Sequence, residues 1–424
     1  MSEYDNSFSE SGQSLAHQWL NCYLTTPQKA SSIRENADSA EGSEQLRRRA
    51  LRLFNSTLRN LLLYDSILNK FVERKPETKL RACLLLCLSE IDLAKCINAP
   101  PIIDSWVNFA KKTSGRNQAG FANAVSRKAF GAIRSIRNDP QSTSLSNLFS
   151  HPEWLIDHWT KQFGERTTKD LLQWNQRQPK IYCSSNQKPS EANRLQPSRW
   201  PRFFELPKGL GSALSASLKD GSTTIRDPAT RLAEAMVLSN SPKTVLDLCS
   251  SPGGKARAIL SNPKRPKSLV AADLEPRLDR LKESLQPWVD CTSIEPLDLS
   301  NPHTFPSGWA NRFPAVLLDA PCTNTGVIRR KPDVKYRLSS DDLKKMPLLQ
   351  QNFLREASSF VALGGNLIYS TCSIEPAENR WVVDQFLRSP DGSDFRLTGA
   401  IQTIPTVTGH DGAGVYRLLR VKGR

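Results

Sequence analysis

Between residues 46 and 137, apolar side chains recur three and four positions apart. The run from Leu46 to Val72, LRRRALRLFNSTLRNLLLYDSILNKFV, carries leucines along one face of a predicted helix and arginines on the other. The run from Thr78 to Ile97, TKLRACLLLCLSEIDLAKCI, is apolar nearly all round. That predicts a central bundle helix with Cys83 and Cys87 packed inside it. The run from Asn117 to Arg137, NQAGFANAVSRKAFGAIRSIR, closes the set with a basic face. No stretch in this region has the period of two that marks a strand, so residues 46–150 read as an all-α domain. Residues 1–45 are polar and rich in Ser and Glu; SLAHQWLNCYL predicts one short helix there, and the rest is expected to be partly disordered. Helical spacing returns in SHPEWLIDHWTKQFG and TTKDLLQWNQRQP, and KIYCSS reads as a weak strand. Residues 151–240 therefore predict a small α+β connecting domain, whose aromatic residues could stack on bases or fill a core.

From residue 241 the rhythm changes. KTVLDLC, SLVAAD, PAVLLD and NLIYST are short apolar runs ending in Asp, Cys or Thr. Helical stretches such as PRLDRLKESLQ and DDLKKMPLLQQNFLREASSFVAL lie between them. This alternation predicts a doubly wound, mainly parallel α/β sheet over 241–424. The last run, GVYRLLRVK, is expected to pair at the sheet edge.

Composition narrows the class. The chain has 424 residues, 38% of them apolar, enough for two or three domains. A formal net charge of +16 favours a polyanionic partner. Nine scattered cysteines with no C-x-x-C pair, and five isolated histidines, argue against a disulfide framework and against a metal site. No signal-peptide-like run and no long apolar span occurs, so a cytoplasmic protein with reduced thiols and no membrane partner is expected.

In a doubly wound sheet, ligands bind beyond the carboxyl ends of the strands. The first strand of this half runs into SSPGGKA, where Gly253 and Gly254 permit a tight turn at a helix N-terminus. About 20 residues later the second strand ends at Asp273, placed to accept from ribose hydroxyls. Asp247 adds negative charge near the turn, which suits the sulfonium of S-adenosyl-L-methionine better than a pyrophosphate; a helix-capping role is the alternative for it. Two later strands end at Asp319 and near Thr371, side by side over the same cleft, so Cys322 and Cys372 can face one substrate. Pro321 stiffens the first loop, and Arg329, Arg330 and Lys331 follow it. Either cysteine alone would more often be a buried small hydrophobe; together at these strand ends they are candidate nucleophiles.

DLCSSPGGKA, DAPCTNTGVIRRKPDVKY and YSTCSIEPAEN resemble the RNA cytosine-5 methyltransferases. The extended form TGVIRRKPDVKY, with HPEWL at 151–155, is similar to the RsmB (Sun/Fmu) branch, which methylates bacterial 16S ribosomal RNA. AGFANAVSRKAF is similar to the NusB family, so the helical domain is expected to bind RNA. The resemblance implies a Rossmann-like S-adenosylmethionine-dependent methyltransferase domain preceded by NusB-like and connecting domains. It implies that Cys372 adds to cytosine carbon 6, that Asp319 assists at N3, and that Cys322 aids release. It implies cofactor contacts from Cys249, Ser250, Ser251, Pro252, Gly253, Gly254, Lys255, Asp273, Asp298 and Asp319, with Asp298 in a poor version of its motif, PLDLS. The implied partner is 16S ribosomal RNA, free or partly assembled, acted on by a monomer. Methylation of transfer RNA or of another ribosomal site, and NusB-like RNA binding without catalysis, are the competing readings. Three positions depart from the family pattern. Ser184 in YCSSN stands where an Arg is usual, Arg226 precedes Asp227 where a Gln is usual, and Ala413-Gly414 follows the terminal Asp-Gly in place of aromatics.

Overall fold

The computed structural model describes residues 6–26, 28–36, 44–185, 195–206 and 212–422. The predicted polar stretch at 37–43 and Asn186 of YCSSN lie outside them. The chain forms two compact units: residues 1–178 with 328–338, and residues 179–327 with 339–424.

The first unit is helical. Its helices are α1 (Asn6–Thr25), α2 (Ala30–Asn36), α3 (Glu44–Arg59), α4 (Leu61–Leu68), α5 (Thr78–Leu93), α6 (Ala99–Ser114), α7 (Arg116–Asn138), α8 (Leu145–Phe149) and α9 (Glu153–Gln176). As its all-round apolar pattern predicts, α5 is buried on most faces, Cys83 and Cys87 included. The N-terminal segment differs from the expectation of one short helix. Helix α1 runs for 20 residues, and Trp19, Leu20 and Tyr23 enter the same core as Phe54 and Leu84. A few large apolar side chains suffice to anchor an otherwise polar helix, because each removes much area from water. Helix α9 is one element with a break at Gly164 (φ 80°), and it belongs with the helical unit, not with the strands that follow.

The second unit holds two sheets. Strands β1 (Tyr182–Ser185), β2 (Gln196–Pro197), β3 (Phe203–Glu205) and β4 (Thr223–Ile225) form a small antiparallel sheet, ordered β2-β3-β1-β4. Its aromatics Tyr182, Trp200 and Phe203 make a small buried core and are not available to stack on bases. The large sheet contains β5 (Thr244–Leu248), β6 (Ser268–Asp273), β7 (Thr292–Pro296), β8 (Phe313–Asp319), β9 (Val361–Thr371), β10 (Phe395–Thr403) and β11 (Ala413–Arg420), ordered β10-β11-β9-β8-β5-β6-β7. Strands β5 to β9 are parallel, and β11 and β10 are antiparallel additions. GVYRLLRVK therefore does not lie at the edge: β11 is sandwiched between β9 and β10, and is buried along most of its length. The edge is β10, FRLTGAIQT, whose mostly exposed polar pattern tolerates water on one side. The chain builds outward from β5 through β6 to β7, then returns to β8 beside β5, so the switch in strand order falls between β5 and β8.

Candidate active site

The first wall is the turn after β5. Cys249 (φ 56°) and Gly253 (φ 91°) both take left-handed backbone, which folds SSPGG back on itself ahead of the helix Gly254–Leu260. A Cβ at Gly253 would stand 2.8 Å from Ser284 Oγ, so the sharp turn and the close approach both demand glycine. A Cβ at Gly254 would meet nothing within 4 Å. The backbone at this helix N-terminus thus faces open space, as a site for a ligand approaching the main chain requires.

Asp273 at the end of β6 ties this turn down. One carboxylate oxygen accepts from Ser251 N and the other from Leu274 N, both at 2.8 Å, and Arg277 lies 3.4 Å away. Asp298, just past β7, accepts from Ser300 N (2.9 Å) and Ser300 Oγ (2.6 Å), and these bonds hold its carboxyl below the ordinary range. Leu297 N donates to Asp273 O (2.9 Å), which brings the Asp298 loop to the same end of the sheet. Under the turn, Asp247 is fully buried. Oδ2 accepts from Ser250 Oγ (2.6 Å), and Oδ1 has no partner. Burial, with the nearby Asp319 and Asp273 charges, outweighs that hydrogen bond and Lys255 and pushes Asp247 up to about 7. Burial and the same carboxylates hold the Cys249 thiol protonated far above its ordinary range.

The second wall is the paired ends of β8 and β9. Asp319 stands opposite Ser370 in the register, as the side-by-side expectation requires. Ala320 N donates to Ser370 O (2.9 Å) and Gly326 N to Cys372 O (3.0 Å), so the loop after β8 is laced to the end of β9. A Cβ at Gly326 would come within 2.7 Å of two carbonyl oxygens, those of Cys372 and Gly412. The lacing brings the Cys322 and Cys372 sulfurs to 3.2 Å. Asn324 (φ 63°) donates Nδ2–H to Cys322 O at 2.7 Å and lies 3.2 Å from Cys372 Sγ through Oδ1. The hydrogen bond with Cys372, then burial, hold the Cys322 proton well above its ordinary pKa. Lys255 reaches from the other wall to Asp319, Nζ to Oδ2 2.6 Å. Burial works against its charge, but the attraction of Asp319 prevails and its pKa is raised; the same ammonium also interacts with Cys372. The two sulfurs thus differ in setting: the Lys255 charge acts on Cys372, and Cys322 is held as a thiol.

Sequence reasoning did not single out Glu378, which supports both cysteine loops from below. Its carboxylate is fully buried and accepts from Thr323 N (2.9 Å), Gln350 Nε2 (2.8 Å), Ser373 Oγ (2.7 Å) and the Thr323 hydroxyl. The only signal in the chain is a Glu six residues beyond Cys372, which nothing local distinguishes from a surface Glu. Burial raises its pKa against these bonds. We expect Glu378→Gln to cost only about 1 kcal/mol, because the two hydroxyls can reverse and accept from the new amide. Denaturant unfolding checks this, and a loss of several kcal/mol would show that the carboxylate itself is required.

Two of the three departures from the family pattern also meet in space. Arg226 Nε donates to Ser184 Oγ (2.7 Å) across neighbouring strands β4 and β1. The guanidinium is buried and pairs with Glu234 at 2.6 Å. An arginine thus contacts position 184 from the adjacent strand.

Among the described residues, no group of three His, Cys, Asp or Glu side chains could hold a metal ion, and no helix is long and apolar enough to cross a membrane.

Residues 235–410 match the family model for the 16S rRNA methyltransferase RsmB/F, and residues 12–130 match the NusB family. The probable ribosomal RNA small subunit methyltransferase B of Bacillus subtilis is 29% identical, over 88% of this chain and 90% of its own. That of Vibrio cholerae is 30% identical, over 74% of this chain and 76% of its own. Among solved structures, the crystal structure of PH0851 superposes with a TM-score of 0.73 at 21% identity, covering 96% of this chain and 98% of that one. NSun6 from Pyrococcus horikoshii with SFG superposes at 0.54 and 15% identity, covering 64% of this chain and 99% of that one.

Proposed function

Because this chain belongs to the RsmB/F family of RNA methyltransferases, with a NusB-family domain ahead of its Rossmann-like domain, we propose that it methylates carbon 5 of a cytidine in 16S ribosomal RNA through a covalent cysteine adduct. The observation that carries this reading is the pair of sulfurs 3.2 Å apart beside the Lys255–Asp319 ion pair.

S-adenosylmethionine fits the first wall. The open backbone face at Gly254, the unpartnered Asp247 Oδ1, and the carboxylates of Asp273 and Asp298 offer a close main-chain approach, ribose acceptors and negative charge for a sulfonium. Cys249, Ser250, Ser251, Pro252, Gly253 and Lys255 shape that wall. When bound, it supplies an electrophilic methyl group.

Carbon 5 of cytosine is a weak nucleophile until a group adds at carbon 6. Cys372, on which the Lys255 charge acts, makes that addition as its thiolate, and the ring becomes an enamine at carbon 5. Asp319 and its partner Lys255 hold the opposite edge of the base, where N3 gains electron density as the thiolate adds. After methylation a base takes the carbon 5 proton, the C–H electron pair reforms the ring double bond as the Cys372 sulfur is expelled, and Cys322, holding its proton beside that sulfur, assists the release. The base must leave its stack to reach these groups, at a cost of a few kcal/mol.

Transfer of a labelled methyl group to ribosomal RNA, followed by bisulfite sequencing, tests the reading. A new protected cytidine in 16S RNA is expected; one in transfer RNA alone would move the substrate, and none would end the proposal. For the cofactor, we expect Asp273→Ala to weaken S-adenosylmethionine binding by about 1.5–3 kcal/mol in calorimetry. Unchanged affinity would remove Asp273 from the site.

A further inference from the structure

The helical unit contains a cavity of about 690 Å³, within the range of roughly 300–1,000 Å³ typical of small-molecule sites. It opens between the ends of α3, α5 and α7 and the face of α9. Its charges do not balance. Asp92, its one acidic lining residue, is already committed to Arg137 (2.5 Å) and to the Tyr64 hydroxyl (2.8 Å). Arg59 and Lys169 line the cavity as well. Arg59 is only 6% exposed and its Nε has no partner. One of its amino groups donates to Arg329 O (2.8 Å), and among the described residues no carboxylate pairs with it.

Behind it the charge deepens. Residues 328–338 belong to this unit, and they bury Lys335 completely, its ammonium donating to Arg59 O (2.9 Å) with no carboxylate among the described residues. The Arg329 guanidinium stacks on Trp174 at 4.0 Å. Burial, with neighbouring positive charge, pulls Arg59 down to about 10 and Lys335 well below its ordinary value. Buried cations are ordinarily paired or neutralised. Arg59 keeps its charge at neutral pH and, among the described residues, pairs with no carboxylate, so the cavity it lines is suited to an anion that arrives from outside. The rest of the lining sets its kind: exposed Gln173 and Gln178 offer amide donors and acceptors, and Leu145, Leu148 and Phe149 an apolar wall.

We propose that this cavity binds a single phosphorylated nucleotide, its phosphate against Arg59 and Lys169 and its base along the Leu145–Phe149 wall. The nucleotide could come from the RNA chain or from solution, since both offer the same phosphate and base. The proposal does not depend on the cysteine chemistry.

Binding is measured on the full chain with a short single-stranded RNA, with AMP and with adenosine, for the wild type, Lys169→Glu and Lys161→Glu. Lys161 is an exposed lysine on the same helix outside the cavity. We expect Lys169→Glu to weaken RNA, AMP or both by at least about ten-fold, with Lys161→Glu nearly neutral. Loss for RNA alone identifies a nucleotide of the chain as the occupant, and loss for AMP alone identifies a free nucleotide; either supports the site. Equal losses in both variants, no loss in either, or adenosine binding as tightly as AMP would overturn it.

Discussion

Protein covalently joined to RNA is expected to accumulate in Cys322→Ala and to be absent from Cys372→Ala, with turnover lost in both. The argument rests on the inequality of two sulfurs only 3.2 Å apart. The Lys255 charge acts on Cys372, whereas Cys322 is held as a thiol by its neighbour and by burial. Removing Cys372 removes the group that adds. Removing Cys322 leaves addition and methyl transfer intact but deprives the expelled sulfur of its assisting thiol, so the adduct persists. A denaturing gel with labelled RNA would show a retarded band for Cys322→Ala alone. If the two thiols only pack, neither variant forms an adduct and each loses about 1–3 kcal/mol of stability. A band in the Cys372 variant would reverse the roles.

Asp247→Asn should stabilise the protein above pH 7 by an amount on the order of 3–4 kcal/mol, and should have little effect near pH 4. The folded carboxyl is raised to about 7 from its ordinary 3.8, first by burial and then by the Asp319 and Asp273 charges. An acid with a raised folded pKa favours folding most while protonated. Below the ordinary carboxyl value of 3.8 the folded chain and most of the unfolded chain carry the proton, and the stabilisation is fully present. As pH rises towards 7 the unfolded chain gives up its proton first, and stability falls. Asparagine keeps the acceptor for Ser250 Oγ and removes the titration. Denaturant unfolding at several pH values checks this; a benefit equal at pH 5 and pH 8 would mean that Asp247 ionises without penalty. A benefit that grows with pH, as expected, makes the natural carboxylate a cost that the site accepts in order to keep negative charge beneath the glycine turn.

Much of the site was legible in the chain because its signals are local. The strand ends at Asp247, Asp273 and Asp319, the glycine turn, and the placement of both cysteines follow from runs of five to seven residues with a period and a terminator. Local pattern also separated the helical half from the sheet half. It failed where partners come from far away. Helix α1 read as one short helix in a polar stretch, yet it runs for 20 residues, seated by Trp19, Leu20 and Tyr23 in a core supplied by later helices. The last strand resembled an edge because nothing near it announced β10, a polar strand that pairs with it through a hairpin. Glu378 was invisible because its four donors come from three separate segments of the chain.

By itself, then, the sequence determined which residues stand at the strand ends and what chemistry their types allow, since turn geometry and side-chain periodicity act over a few residues. Only the tertiary structure decided how those groups divide the work. The basic run after Cys322 reads in sequence as charge for the cysteine, but it leaves the sheet unit and buries Lys335 among helices. The cation that the fold brings to Asp319 and Cys372 is Lys255, from a turn some 70 residues before Cys322 in the chain. Charge acts through space, over a few ångströms of low-dielectric interior, so its effect follows the fold and not the order of residues.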